Sequence, residues 1–565
     1  MEHFKQALSE AVAEAAGMSP DEVFPLFEVP PKRSLGDLAF PCFSLARRMR
    51  KAPPAIASDL EGKVDLPDFV ERVVSAGPYL NFRIAPEALC RTVLGEVRAR
   101  GEAFGNSSVG GDRVVVVDYS SPNISKHLAF HHIRSTMIGQ SLVRLHRASG
   151  WKTVGINHLG DWGTTFGKLM VAVSSWTEGD FLGRATLKDL NDLYVRFHRE
   201  AQTDAGLEDR ARAWFKRLEE GDAEATRMWK AFREISLEAF DRVYGKLGVS
   251  FDHVIGESFF LDRLDETVER VASAGLLEES EGAQVVPLEA EGLPPGLLRK
   301  KDGATLYLTR DLAAAIYRRE RFGFDRALYV TDAGQSLHFK QLFAVLRRLG
   351  FDAADDMHHV PFGVLLMGGQ KGGSRRGEVV LLERVLDEAA ERTLAMIEEK
   401  NPDLPRKEEV ARAVGVGAVV FNDLKNKRIK DVRFRWEEVL NLEGDSGPYV
   451  QYAFVRACGI FRKHGGPPPA EADLSRLEEE EELELVQRIG RFPETVRRAC
   501  ETFEPSVVAQ HLLDLSAAFH RFHHKHRVLS DDAALTDARL MLVDGARTTL
   551  RRGLDLLGIE AVEEM

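Results

Sequence analysis

Apolar and polar positions change their spacing several times along this chain, and each change marks an element. Residues 113–119 (RVVVVDY) form a continuous β-branched run, the pattern of a strand buried on both faces of a parallel sheet. A polar turn, SSPN, follows, and apolar residues then recur at helical spacing from about His132 through Leu145. The layout repeats at once, with Thr153 to Asn157 as strand, HLGDWG as loop and Thr165 onward as helix, while Ala327 to Thr331 and Val360 to Leu366 read as further strands. Alternating strands and helices predict an α/β fold built on a doubly wound parallel sheet, whose ligands bind beyond the carboxyl ends of the strands. The loops SSPN, HLGDWG and TDAGQ fall at those ends.

Between these halves, roughly residues 171–255, the pattern is helical, and Trp229, Phe232, Ile235, Phe240, Val243 and Leu247 make one apolar stripe. A stripe of that width faces a core rather than a ligand. From about residue 404 to the end the chain reads as amphipathic helices broken once by GGPPPAEAD. The first part mixes helical patterns with short strands, carries the turn-like phrases RSLGDLAF and AGPYLNFRI, and ends in the linker-like GNSSVGGDR. The expected division is 1–110, an N-terminal α+β domain; 111–445, an α/β domain with a helical insertion at about 171–255; and 446–565, an all-α domain.

A length of 565 residues fits three or four domains on a prior of about 150 residues each. Cys42, Cys90, Cys458 and Cys500 form no C-x-x-C pair, which argues against a zinc ribbon or a disulfide framework. No run of apolar residues is long enough to cross a membrane, and the opening MEHFKQALSEAVAEAAG has no signal-peptide block, so a cytoplasmic protein is expected. The formal net charge of -12 counts against a nucleic-acid partner, because phosphate binding draws on Lys and Arg. Distribution changes that picture. Residues 424–435 (LKNKRIKDVRFR) hold six basic residues against one acidic, while Glu478 to Glu482 is an acidic run; a solvated face is the plain alternative for both.

Candidate chemistry gathers at three places. The turn and helix start containing Asn123, Lys126, His127, His131, His132 and Arg134 combine unpaired backbone N–H groups with cations, which suits phosphate; solvated histidines or a metal site would look similar. The loop Lys371 to Gly377 (KGGSRRG) suits closure over a triphosphate, against a plain hairpin turn. In LYLTRDLAAA, residues 306–315, Tyr307 and Asp311 are four apart and share a helix face, so phenol and carboxylate could pair with a guanidinium or ammonium ligand; an acid in a first helical turn is the bland reading.

In this order the phrases SSPNISKHLAFHHIRSTMIG, INHLGDWGTTFGKL, LYLTRDLAAAIY, GVGAVVFNDLKNKR, GPYVQYAFVRA and RTTLRRGLDLLGIE resemble the arginyl-tRNA synthetases along nearly the whole chain. The resemblance implies a class I catalytic domain on a Rossmann fold, a preceding domain that helps hold the tRNA elbow, and a helical anticodon-binding domain last. It implies ATP-dependent ligation of L-arginine to tRNA(Arg) through arginyl-adenylate, with Mg2+, by a monomer whose first step requires bound tRNA. Carried over residue by residue, Asp118, Ser121, Asn123, Tyr307, Asp311 and Gln335 fall where the family holds arginine, and His158 and Asp161 lie in its second loop motif. The HIGH-like motif spans Pro122, Asn123, Lys126, Ala129, Phe130, His131 and His132, of which Lys126 and His132 would grip ATP phosphates; Lys371, Gly372, Gly373, Ser374 and Arg375 stand for the KMSK loop.

This chain departs from the family's H-x-G-H at two places, Ala129 and His131, and from its second loop at Gly372 and Gly373. A histidine in place of glycine obstructs a flat adenine unless His127 or His131 compensates. That departure motivates a rival reading, a catalytically weakened paralogue binding tRNA or arginine for regulation. In HRFHHKHRVL, residues 520–529, shared-face histidines could hold a metal, whereas the family pattern makes Phe519, Phe522 and Arg527 contacts for unstacked tRNA bases.

Overall fold

A computed structural model describes residues 1–30, 33–367, 370–371, 374–375 and 378–565, with the side chains of 370, 371, 374, 375 and 378 outside the description. Its centre is a five-stranded parallel sheet of Val114–Asp118, Lys152–Leu159, His253–Gly256, Arg326–Tyr329 and Met357–His359. The continuous valine run takes the middle place, where Val116 faces Ala327 on one side and Val154 on the other, and Val115 and Val117 are wholly buried. From this middle strand the chain steps outward through Lys152–Leu159 and His253–Gly256, then returns to the other side with Arg326–Tyr329 and Met357–His359. The winding therefore reverses beside Asp118, and a crevice opens there.

The strand expected at Val360 to Leu366 is two strands. One ends at His359; the other, Leu365–Met367, joins a small sheet with Val432–Phe434 and Gln370–Lys371. Between them Pro361 lacks a ladder donor, and Gly363 packs so closely that a Cβ there would lie 2.7 Å from the Lys430 backbone. Val432–Phe434 is also a departure from the all-helical reading after residue 404.

The insertion is helical, and on Ala223–Leu247 the residues Phe232, Phe240, Val243 and Leu247 are buried, with Trp229 and Ile235 partly so. The N-terminal part has a three-stranded antiparallel sheet in which Leu38–Pro41 and Val70–Ala76 flank Tyr79–Ile84. RSLGDLAF and AGPYLNFRI thus carry paired strands as well as turns. The stretch GNSSVGGDR is packed rather than loose: Ser107 N–H donates to Ala148 (2.9 Å) and Gly110 N–H to Ser149 (2.7 Å). Long helices Gly447–His464, Ser506–Lys525 and Ala533–Leu556 dominate the last part. A buried carboxylate, Asp37, ties the two ends of the chain together by accepting from Ile84 N–H (2.8 Å), from Arg33 (3.1 Å) and from the Gln487 amide.

Candidate active site

The crevice at the reversal is a cavity of about 870 Å³ whose wall includes Asp118, Ser121, Asn123, His131, His132, His158, Tyr307, Asp311 and Gln335. Residues scattered over more than two hundred positions are brought together because each follows a strand or starts a helix at one end of the sheet.

The SSPN turn is held in a strained shape. Ser120, Ser121 and Ser125 adopt left-handed φ of 68°, 50° and 63°, which persists only where neighbours enforce it. Here Ser120 N–H donates to the Ser135 hydroxyl (2.9 Å), Ser121 N–H to Asn157 (3.1 Å), and the Ser120 hydroxyl bonds Tyr244 on the insertion helix (2.8 Å). Gly160 in HLGDWG exchanges backbone bonds with Pro122 (3.1 Å) and Ile124 (3.2 Å). A Cβ at 160 would fall 1.9 Å from Asn123 Oδ1, so glycine is what lets Asn123 lie across this loop.

Four carboxylates face the cavity, and each has an internal partner; Asp332 accepts from Gly334 N–H (2.7 Å). Asp118 takes Ser121 Oγ on one oxygen (2.7 Å) and the buried Arg318 on the other (2.7 Å). Asp311 bonds His338 Nε2 (2.5 Å) and Glu257 bonds Arg310 (2.5 Å). Burial pushes the Glu257 carboxyl up to about 7, against the lowering effect of Arg310 and with a further push from Asp311 and Asp161. Such a group gains from a further cation. Glu257 went unread in the sequence; its one signal was a lone acid just after the carboxyl end of a short strand, His253–Gly256.

Asp161 is a brace rather than a wall residue. It is buried, accepts from Ser258 N–H and Oγ (2.8 Å each) and lies 3.5 Å from Arg233. His158 does line the cavity; burial lowers its pKa, and its Nδ1 has no hydrogen-bond partner among the described residues.

At the other end, His131 precedes the helix His132–Ala148, whose first N–H groups are not open to a phosphate as the sequence suggested: those of His132, Ile133 and Arg134 donate to the carbonyls of Ala129 (3.0 Å), Phe130 (3.2 Å) and His131 (3.2 Å). The two imidazoles stack with centroids 4.3 Å apart. His132 Nδ1 bonds the Ala129 carbonyl (3.0 Å), which assigns the proton to Nδ1 and leaves Nε2 as a lone pair. Burial, then the charge of His131, lowers the His132 pKa to about 4, with the carbonyl bond opposing. Ala129 and Phe130 are interior: Phe130 N–H donates to Val380 (2.8 Å), and its ring meets Phe434 edge-on at 4.9 Å.

Two residues expected at phosphate are engaged elsewhere. Arg134 is buried against Asp423 (2.9 Å) and donates to the carbonyls of Gly363 (2.7 Å) and Lys430 (2.9 Å). Lys126 is exposed, 5.7 Å from the Tyr194 ring centroid on an insertion helix, and His127 is half-buried, its pKa lowered by burial. In the glycine-rich loop, Gly372 and Gly373 lie outside the described residues; the backbones of Ser374 and Arg375 pair with Val379 and Glu378, and the side chains of Lys371, Ser374 and Arg375 lie outside the description.

Phe519 and Phe522 are wholly buried, which removes them as stacking surfaces for bases; Arg527 is exposed. The half-exposed aromatic surface here is Tyr449, Tyr452 and His520, with Arg456 bonding Tyr452 (2.8 Å) and His520 (3.1 Å). His520, His523 and His524 do not converge; among the described residues the metal-ligand spacing found is Glu479, Glu481 and His526, with Glu481 already bonded to Lys525.

Comparison with known proteins fits this geometry. Residues 97–436 match the model of the class I (R) tRNA synthetase catalytic domain, 450–565 the DALR anticodon binding domain, and 2–84 the arginyl tRNA synthetase N terminal domain. The chain is 47% identical over 564 residues to an arginine–tRNA ligase of Exiguobacterium sibiricum, covering 100% of this chain and 99% of the relative. It is 47% identical to one of Enterococcus faecalis, covering 97% of each. Among solved structures it resembles a Thermus thermophilus arginyl-tRNA synthetase with a TM-score of 0.84 at 30% identity, covering 100% of both chains.

Proposed function

The chain belongs to the arginyl-tRNA synthetases, class I enzymes that ligate arginine to tRNA at the expense of ATP, and from that premise we propose how its residues divide the work. Asp311, Glu257 and Tyr307 receive the guanidinium. That group carries five donors in a fixed fork, which two carboxylates and a phenol can match, whereas citrulline leaves a carboxylate unpaired. The observation that carries this reading is the convergence of Glu257, Asp311 and Tyr307 in one cavity with Ser121, Asn123 and Gln335. Asp118, locked by Arg318, orients Ser121 toward the main-chain end of the substrate.

The arginine carboxylate then attacks the α-phosphate of ATP in line, giving arginyl-adenylate and pyrophosphate, and the terminal ribose hydroxyl of tRNA takes the arginyl group, releasing AMP. No protein nucleophile is needed: positioning and charge neutralisation supply the rate. His132 and the Lys371 loop serve the phosphates, with Lys126 swinging in from Tyr194. The neutral His132 offers a lone pair, so an arriving phosphate favours its protonation and converts Nε2 to a donor. Every carboxylate of the cavity named above already holds a partner, so Mg2+ would be held chiefly by the nucleotide's own phosphates and by water, where it would neutralise phosphate charge. The last helices read the anticodon and the first domain meets the tRNA elbow; the enzyme acts as a cytoplasmic monomer.

Calorimetry of arginine binding tests the pocket. Asp311→Asn weakens arginine by about tenfold or more, the worth of one charged hydrogen bond, with thermal melting unchanged; unaltered affinity removes Asp311 from the site.

A further inference from the structure

The basic stretch at 424–435 is a feature of the sequence that the reaction above leaves unused. Three of its six cations are spent internally. Lys425 donates to the Asp445 carbonyl (2.6 Å), Arg428 to the carbonyls of Pro361 (2.8 Å) and Phe503 (3.1 Å), and Arg435 pairs with Glu438 (3.0 Å). Lys427, Lys430 and Arg433 are exposed, and among the described residues none of the three has a carboxylate within ion-pair distance. Ile429, between the two lysines, is 53% exposed.

These side chains stand on a rigid base. Arg134, buried with Asp423, donates to the Lys430 carbonyl (2.9 Å) and the Arg428 carbonyl (3.2 Å), and Gly363 N–H donates to the same Arg428 carbonyl (2.9 Å). Val364 N–H is held by Asp431 Oδ1 (2.9 Å). Gly363, Val364 and Leu365 belong to the cavity wall, so the cations are fixed to its lip. Arg433 stands opposite Leu366 in backbone register, and Leu366 stands opposite Lys371 on its other side, which makes the strip continuous with the loop assigned to ATP.

Cations without a carboxylate partner among the described residues, on a preformed support in a chain of net charge -12, fit a polyanion that gives up counterions on binding and requires little ordering of the protein. Resting on the arginylation reading, we propose that Lys427, Lys430 and Arg433 seat the sugar–phosphate backbone of the tRNA acceptor end and aim its terminal ribose into the cavity. Ile429 supplies an apolar contact for a sugar face between the lysines.

The test is direct binding of a tRNA(Arg) transcript, and of a hairpin made of its acceptor stem and 3′ end, over a range of salt. Lys427→Ala/Lys430→Ala/Arg433→Ala is expected to weaken both RNAs by about tenfold or more at low salt and to flatten the log K against log salt slope by ~0.9 per lost contact. The charge-preserving Lys427→Arg/Lys430→Arg/Arg433→Lys keeps slope and affinity, and arginine affinity is the same in all three proteins. An unchanged slope in the alanine variant, or an equal loss in the charge-preserving one, overturns the proposal. Charging by the unaltered protein is measured beside it: absence of charging defeats the arginylation reading, whereas the binding slopes judge the strip whether or not charging occurs.

Discussion

Glu257 is where single-residue chemistry is sharpest. Its carboxyl, pushed up to about 7 by burial, is about half protonated at neutral pH before arginine binds. A substrate guanidinium favours the ionised form and lowers that pKa, so arginine binding releases protons near pH 7, and affinity rises as pH climbs through this range. Calorimetry in buffers of different ionisation enthalpy should show the release in the unaltered protein and none in Glu257→Gln; equal release in both places the titrating group elsewhere. Such a residue is hard to read from sequence, since one acid after a short strand has no spacing to mark it. That Tyr307 and Asp311 share a helix face was legible from their four-residue spacing, and both line the cavity. Arg134 was misread: charge in a motif does not reveal whether a side chain points at the ligand or, as here, into Asp423 (2.9 Å).

Among elements, the middle strand was readable because a strand buried on both faces is apolar throughout. Val432–Phe434 was not, since three residues give no period, and the split of Val360 to Leu366 turns on tertiary closeness at Gly363. Phe519 and Phe522 show a third limit. Their three-residue spacing marks one helix face, and that face is the core, while the neighbouring His520 looks outward beside Tyr449. Arg134 and Asp423 tie the first catalytic helix to the backbone of 363, 428 and 430. Removing one partner of a buried pair strands the other charge, so Arg134→Met should cost about 3–5 kcal/mol of stability, and adding Asp423→Leu should restore part of it. Denaturant melts that leave Arg134→Met as stable as the unaltered protein would contradict a structural role for this pair.

For the molecule as a whole, the division into an α/β centre between an α+β part and a helical part was legible from changes of hydrophobic period. The packing of the first part on the last was not: Asp37 and Gln487 meet across 450 positions, and no local pattern announces that. The departures at Ala129 and His131 fall where interior packing and a helix cap meet: Ala129 fills a small buried site, and His131 stacks on His132. Both changes therefore fit an intact cavity with its arginine-facing acids in place, which supports a working enzyme rather than a regulatory paralogue. The decisive measurement is charging of labelled arginine onto tRNA with Mg-ATP by the unaltered protein beside His132→Ala and His131→Gly. Robust charging that falls by about 10²–10³ in His132→Ala, the usual loss for one transition-state donor, and that persists in His131→Gly, is the predicted result. No charging by the unaltered protein, with tRNA still bound, would contradict the account.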